Sequence, residues 1–136
     1  MATFKLHPIA FVPKPRLPLT GTSVLIVEDE PLIALDIHAA LSTVGASIIA
    51  ATKGTEALEL IRIAEINVAV LDINLGDRDC SAVCRALSQR KIPFLFYTGH
   101  PGADVLEQWP HAPVLVKPAR SSDIVARVAA LAAAAS

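Results

Sequence analysis

Four apolar runs in this chain of 136 residues end on side chains able to do chemistry. Val24–Val27 runs into Glu28, Asp29 and Glu30, and Val68–Leu71 stops on Asp72. Pro93–Tyr97 is followed at once by Thr98 and Gly99, and Val114–Val116 delivers Lys117. Short runs of this kind read as buried strands. If they lie side by side, Glu28, Asp29 and Asp72 crowd one edge. Two unit charges about 4 Å apart repel by roughly 4 kcal/mol at an effective dielectric of 20. Such a cluster costs stability unless it is protonated or neutralised by a cation. Oxygen-only ligands with room for water suit Mg²⁺. Thr98 adds a hydroxyl, Lys117 an ammonium, and Gly99 has no side chain to bar an anion. Together these are the parts needed to transfer a phosphoryl group onto a carboxylate. Singly, each has a plainer reading as a solvated strand-end acid, a turn threonine or a routine lysine; three acids at one edge weaken that reading.

The elements that must position these residues alternate. "SVLIV" (23–27) is a strand, and Pro31 opens an amphipathic helix reaching Val44, with Ile33, Ile37, Leu41 and Val44 as its stripe and Gly45 as its stop. "SIIAA" (47–51) is the second strand, and Thr55 with Glu56 begins a helix carrying Leu58, Ile61 and Ile63. "VAVLD" is the third strand, Ser81 to Gln89 the third helix, "PFLFY" (93–97) the fourth strand and "VLV" (114–116) the fifth. Between the last two, the prolines and glycines leave room for one short helix around Ala103–Gln108. A final helix starts at Ser121 and turns Ile124, Val128 and Leu131 inward. Strands alternating with helices predict an α/β fold, a doubly wound five-stranded parallel sheet. In the flavodoxin-like order 2-1-3-4-5, the functional crevice lies outside the carboxyl ends of strands one and three. Those are the strands that end in Glu28–Asp29 and Asp72.

Composition narrows the class. With 53% hydrophobic and 18% charged residues, the chain is globular rather than disordered. A net charge of −1 without a basic stripe argues against a nucleic-acid footprint. The longest strictly apolar run, Val128 to Ala135, is too short to span a bilayer, and no secretory signal opens the chain, so cytoplasmic residence is expected. Cys80 and Cys84 have helical spacing and read as core-side or semi-buried thiols in a reducing compartment. Residues 1–20, with Pro8, Pro13, Pro15 and Pro18 and no acid, read as an extended arm ahead of a domain over 21–136.

"VLIVEDEP", "VAVLDINLGD", "FYTGH" and "VLVKPA" together resemble, in order and spacing, the receiver domain of bacterial two-component response regulators. The resemblance covers about residues 22–135. It implies that Asp72 is the phosphoacceptor, Asp29 a direct Mg²⁺ ligand and Glu28 a metal-site acid acting through water. It further implies that the Asn74 backbone carbonyl completes the protein ligands, and that Thr98 and Lys117 bind the phosphoryl group. The implied partner is a histidine kinase or a phosphotransfer protein. "IPFLFYTGHPG" also resembles the PFxFATGY signature of the FATGUY receivers, typically paired with HWE or HisKA2 kinases, through Pro93, Phe94, Phe96, Thr98 and Gly99. Tyr97 and His100 depart from that signature.

Two further departures bear on mechanism. Glu28 stands where receivers more often carry Asp, which keeps the charge and adds a methylene. Val114 stands three residues before Lys117, where typical receivers carry an aromatic that rotates on activation. His100 has two readings, as a group over the site that influences water attack on a phosphoaspartate or as an exposed loop histidine. Tyr97 and Trp109 read as core or loop packing. Because the chain ends with its last helix, the expectation is a stand-alone receiver serving as a switch, relay or sink, not a turnover enzyme. The rivals are a haloacid-dehalogenase-like Mg²⁺-dependent phosphatase and a silent pseudo-receiver. The phosphatase wants an Asp two residues after its nucleophile and has it on strand one. Here that place holds Asn74, and the candidate nucleophile Asp72 ends strand three, not strand one.

Overall fold

The computed structural model describes residues 16–75 and 80–135. Five parallel strands form one sheet in the order β2-β1-β3-β4-β5. They are β1 (Ser23–Val27), β2 (Ser47–Ala51), β3 (Val68–Leu71), β4 (Phe94–Thr98) and β5 (Val114–Val116). The helices are α1 (Pro31–Thr43), α2 (Gly54–Ile63), α3 (Cys80–Gln89), α4 (Asp104–Glu107) and α5 (Ser121–Ala135). The doubly wound order expected from the alternation of elements is the one observed.

Successive side chains on a strand point to opposite faces. Leu25, Val27, Ala69, Leu71, Phe94 and Phe96 therefore face one layer, with Ala57 and Ile61 of α2 and Val83, Cys84 and Leu87 of α3. Val24, Ile26, Val68, Val70, Leu95 and Tyr97 face the other, with Ile37 and Leu41 of α1 and Ile124 and Val128 of α5. Covering on both faces explains why β1, β3 and β4 are nearly continuous apolar runs instead of alternating ones.

Several sequence expectations shift. α2 starts at Gly54 and buries Ala57 and Ile61, while Leu58 is 36% and Ile63 63% exposed. At 100° per residue, Ala57 and Ile61 share a face and Ile63 points almost opposite to Ile61. Glu56 accepts from the Thr52 N–H at 2.8 Å and from its hydroxyl at 3.0 Å, which ties down the entry to this helix. α1 ends at Thr43 with Val44 as its cap, and Gly45 follows at φ +101. A Cβ at Gly45 would lie 2.8 Å from Thr20 Oγ1, so glycine is demanded there by both conformation and space.

That close approach ties the segment just ahead of β1 to the packed unit. Leu19 is 1% exposed, and its N–H donates to the Val44 carbonyl at 2.9 Å. Leu19 thus belongs to the core and not to the arm read over 1–20. Pro8, Pro13 and Pro15 lie outside the described residues. Cys80 and Cys84 are both buried one helical turn apart, with their sulfurs 4.0 Å apart as free thiols. The hydrogen bond with Cys80 and then burial push the Cys84 thiol well above its ordinary range, so it behaves as an inert core group. Among the described residues, no helix is long and apolar enough to cross a membrane.

Candidate functional site

The sheet ladder continues one residue past three strands. Glu28 N–H donates to the Ala51 carbonyl at 3.0 Å, Asp72 N–H to the Val27 carbonyl at 2.9 Å and Lys117 N–H to the Thr98 carbonyl at 2.8 Å. Each apolar strand therefore hands a polar residue to the same carboxyl edge with its backbone already fixed. The side chains meet there. Lys117 Nζ lies 2.7 Å from Glu28 Oε1 and 3.3 Å from Asp72 Oδ2. Glu28 is 2% and Asp72 5% exposed, whereas Asp29 is exposed. One carboxylate oxygen from each of Glu28, Asp29 and Asp72 lies within 4.8 Å of the others.

The remaining oxygens are also held. Glu30 N–H donates to Glu28 Oε2 at 3.1 Å, and Asn74 N–H donates to Asp72 Oδ1 at 3.1 Å. These bonds orient both buried carboxylates, while Asp29 stands toward solvent. Burial is the largest influence on Glu28 and pushes its carboxyl up to about 7. The hydrogen bonds from Lys117 and Glu30 N–H oppose the rise, and the Asp72 charge adds to it. Burial also disfavours the Lys117 ammonium, but the hydrogen bond to Glu28 and the charges of Asp72 and Glu28 prevail and hold its pKa above the ordinary value. Three acids facing one ammonium leave an excess of negative charge. An all-oxygen donor set of that sign fits a hard divalent cation such as Mg²⁺, which tolerates few protein ligands and keeps waters.

Thr98 ends β4 fully buried, and its hydroxyl accepts from the His100 N–H at 2.9 Å. It sits at the same edge, engaged with its own loop. His100 is exposed and lines an open cleft with Ile73, Asn74 and Gly99. A Cβ at Gly99 would meet nothing within 4 Å, so this glycine is not required by packing. Val114 pairs with Phe96 in register and packs on the α2–α3 side of the core. Trp109 packs edge-on against Phe94 with ring centroids 5.8 Å apart.

Sequence reasoning missed one participant. Tyr97, read as packing, is indeed 6% exposed, but its hydroxyl accepts from the Ala119 N–H at 3.1 Å. Lys117 Nζ also stands over its ring, 5.6 Å from the centroid. The available signal was an aromatic with a polar tip directly before Thr98, where the partly matched signature has Ala.

Residues 24–129 match the family described as the response regulator receiver domain. The chain belongs to that family.

As a receiver domain of two-component signalling, it is 33% identical over 107 residues to the "Transcriptional regulatory protein PdtaR" of Mycobacterium tuberculosis, covering 75% of this chain and 52% of that protein. It is 31% identical over 111 residues to the "Phyllosphere-induced regulator PhyR" of Methylorubrum extorquens, covering 78% of this chain and 42% of that protein. The chain thus spans about half the length of the curated relatives it matches. A solved receiver from Sinorhizobium medicae superposes with a TM-score of 0.78 at 25% identity, covering 85% of this chain and 97% of that one. A CheY-like receiver from Methanospirillum hungatei has the same fold, with a TM-score of 0.77 at 22% identity, covering 84% and 95% of the two chains. The phosphatase alternative finds no support in these comparisons, and Asp72 follows β3, the middle strand of the sheet.

Proposed function

We propose that this receiver domain accepts a phosphoryl group on Asp72 from a histidine kinase or phosphotransfer protein, in a Mg²⁺-dependent reaction. The observation that carries the reading is the Lys117 ammonium bridging Glu28 and Asp72, with the Asp29 carboxylate within 4.8 Å of both acids. A carboxylate oxygen of Asp72 attacks the phosphorus of a phosphohistidine. The new P–O bond forms as the P–N bond breaks, and the departing imidazole takes up a proton. Asn74 N–H and Lys117 hold the Asp72 carboxylate in place for the attack. Lys117 and Thr98 then hold the phosphoryl oxygens, the ammonium as a charge and the hydroxyl as a donor. Asp29, Asp72 and the Asn74 backbone carbonyl would hold Mg²⁺ directly and Glu28 through water, and the cation would supply charge to offset that building on the transferring group.

The partial FATGUY signature supports a kinase of the HWE or HisKA2 type as donor, and the domain acts as a switch or as a phosphate relay or sink. The test is incubation with acetyl phosphate or a phosphorylated kinase, with and without Mg²⁺, followed by intact-mass measurement. One added phosphoryl group is expected only with the metal, and none in Asp72→Ala. Wild-type labelling of that variant would refute the assignment.

A further inference from the structure

Lys117 is anchored from β4 at three points. The Thr98 carbonyl accepts its backbone N–H at 2.8 Å. The Tyr97 hydroxyl accepts the N–H of Ala119, two residues on, at 3.1 Å. The Tyr97 ring lies beneath the ammonium, 5.6 Å from centroid to Nζ. Tyr97 itself cannot swing away easily. It is 6% exposed, pairs with Leu115 in register and sits among Ile37, Ile124 and Val128.

A lysine side chain has four rotatable bonds, and Lys117 has two acids to choose between, Glu28 at 2.7 Å and Asp72 at 3.3 Å. Its backbone path and a face against its head group decide how narrowly it is placed. Without the hydroxyl, the Ala119 N–H loses its acceptor and the segment after β5 is held at one point fewer. Without the ring, the ammonium loses an attractive face.

We propose that Tyr97 is a positioning residue for Lys117: hydroxyl and ring together hold the ammonium where it meets Asp72 and the group transferred to it. The inference rests on the reading of Asp72 as phosphoacceptor and adds to it a residue outside the acid cluster that acts through Lys117. It also provides a short path from the site to the groove between α1 and α5, which Tyr97, Lys117 and Ala119 line along with Ile33 and Ile124.

The experiment measures the rate of Asp72 phosphorylation by acetyl phosphate at saturating Mg²⁺ in wild type, Tyr97→Phe and Tyr97→Leu, each also in a Lys117→Ala background. Tyr97→Phe keeps the ring and should slow the reaction about threefold, and Tyr97→Leu about tenfold, in line with one hydrogen bond and one cation–π contact. In the Lys117→Ala background, Tyr97→Leu should change the rate by less than about twofold, because nothing is left to position. A residue that merely packs would slow both backgrounds alike, and that outcome overturns the inference. So does an unchanged rate in folded Tyr97→Leu. If Tyr97→Leu does not fold, Tyr97→Phe in the two backgrounds decides by the same criterion. If wild type takes no phosphate, the reading of Asp72 fails and this inference with it.

Discussion

Lys117 reaches Glu28 more closely than it reaches Asp72, at 2.7 Å against 3.3 Å. The ammonium at the heart of the site is thus paired first with the proposed metal-site acid and only second with the proposed phosphoacceptor. Lys117 sets one positive charge against the buried carboxylates of Glu28 and Asp72. Burial of Glu28 raises its carboxyl pKa, which links this arrangement to proton uptake.

The first prediction concerns the metal-free protein. The Glu28 carboxyl is raised from 4.5 to about 7 by folding, chiefly through burial. A raised carboxyl binds more protons folded than unfolded, so its contribution to stability is fully present below 4.5 and is lost as pH rises through about 7. With a chelator present, the melting temperature should fall between pH 5 and pH 8, and Glu28→Gln should flatten that fall. Equal slopes in the two proteins would assign the dependence to another group.

Asp29 is the exposed member of the acid cluster, so removing it need not disturb the core. Asp29→Ala should weaken Mg²⁺ binding about tenfold or more, since it deletes a charged oxygen ligand from a small set. It should also raise the metal-free melting temperature slightly by relieving like-charge repulsion. Thermal shifts across a Mg²⁺ titration measure both effects. An unaltered titration would place the metal elsewhere.

The Thr98 hydroxyl accepts from the His100 N–H in this state, which links the end of β4 to the loop that follows. A phosphoryl group on Asp72 offers that hydroxyl a charged acceptor, a stronger partner than a neutral one. Val114 has no ring to rotate, so the response should travel through Thr98 and the loop from His100 to Pro113, whose helix is limited to Asp104–Glu107. Amide exchange with and without a phosphoryl mimic should change most over 98–113, and the change should be largely lost in Thr98→Ala. A response confined to another face would sink this route.

Much of this was legible in the sequence because strands buried on both faces advertise themselves. Four apolar runs ending on Glu28–Asp29, Asp72, Thr98 and Lys117 marked out a parallel sheet and its chemical edge, since polar groups interrupt a strand buried on both faces only where they find polar partners, as they do at its carboxyl end. Helix faces were less legible: on α2 the small Ala57, not the larger Leu58 or Ile63, turned out to face the core. The place of Leu19 in the core depends on the Val44 carbonyl and the bare Gly45, which the chain brings to it from a distance. Only the tertiary structure decided that Lys117 sits closer to Glu28 than to Asp72, and that Tyr97 holds Ala119. Hydrophobic periodicity determines which face a residue occupies. It is silent about which polar atoms, 89 residues apart for Lys117 and Glu28, come within hydrogen-bond distance, because that depends on how packed strands and helices set the final positions of their ends.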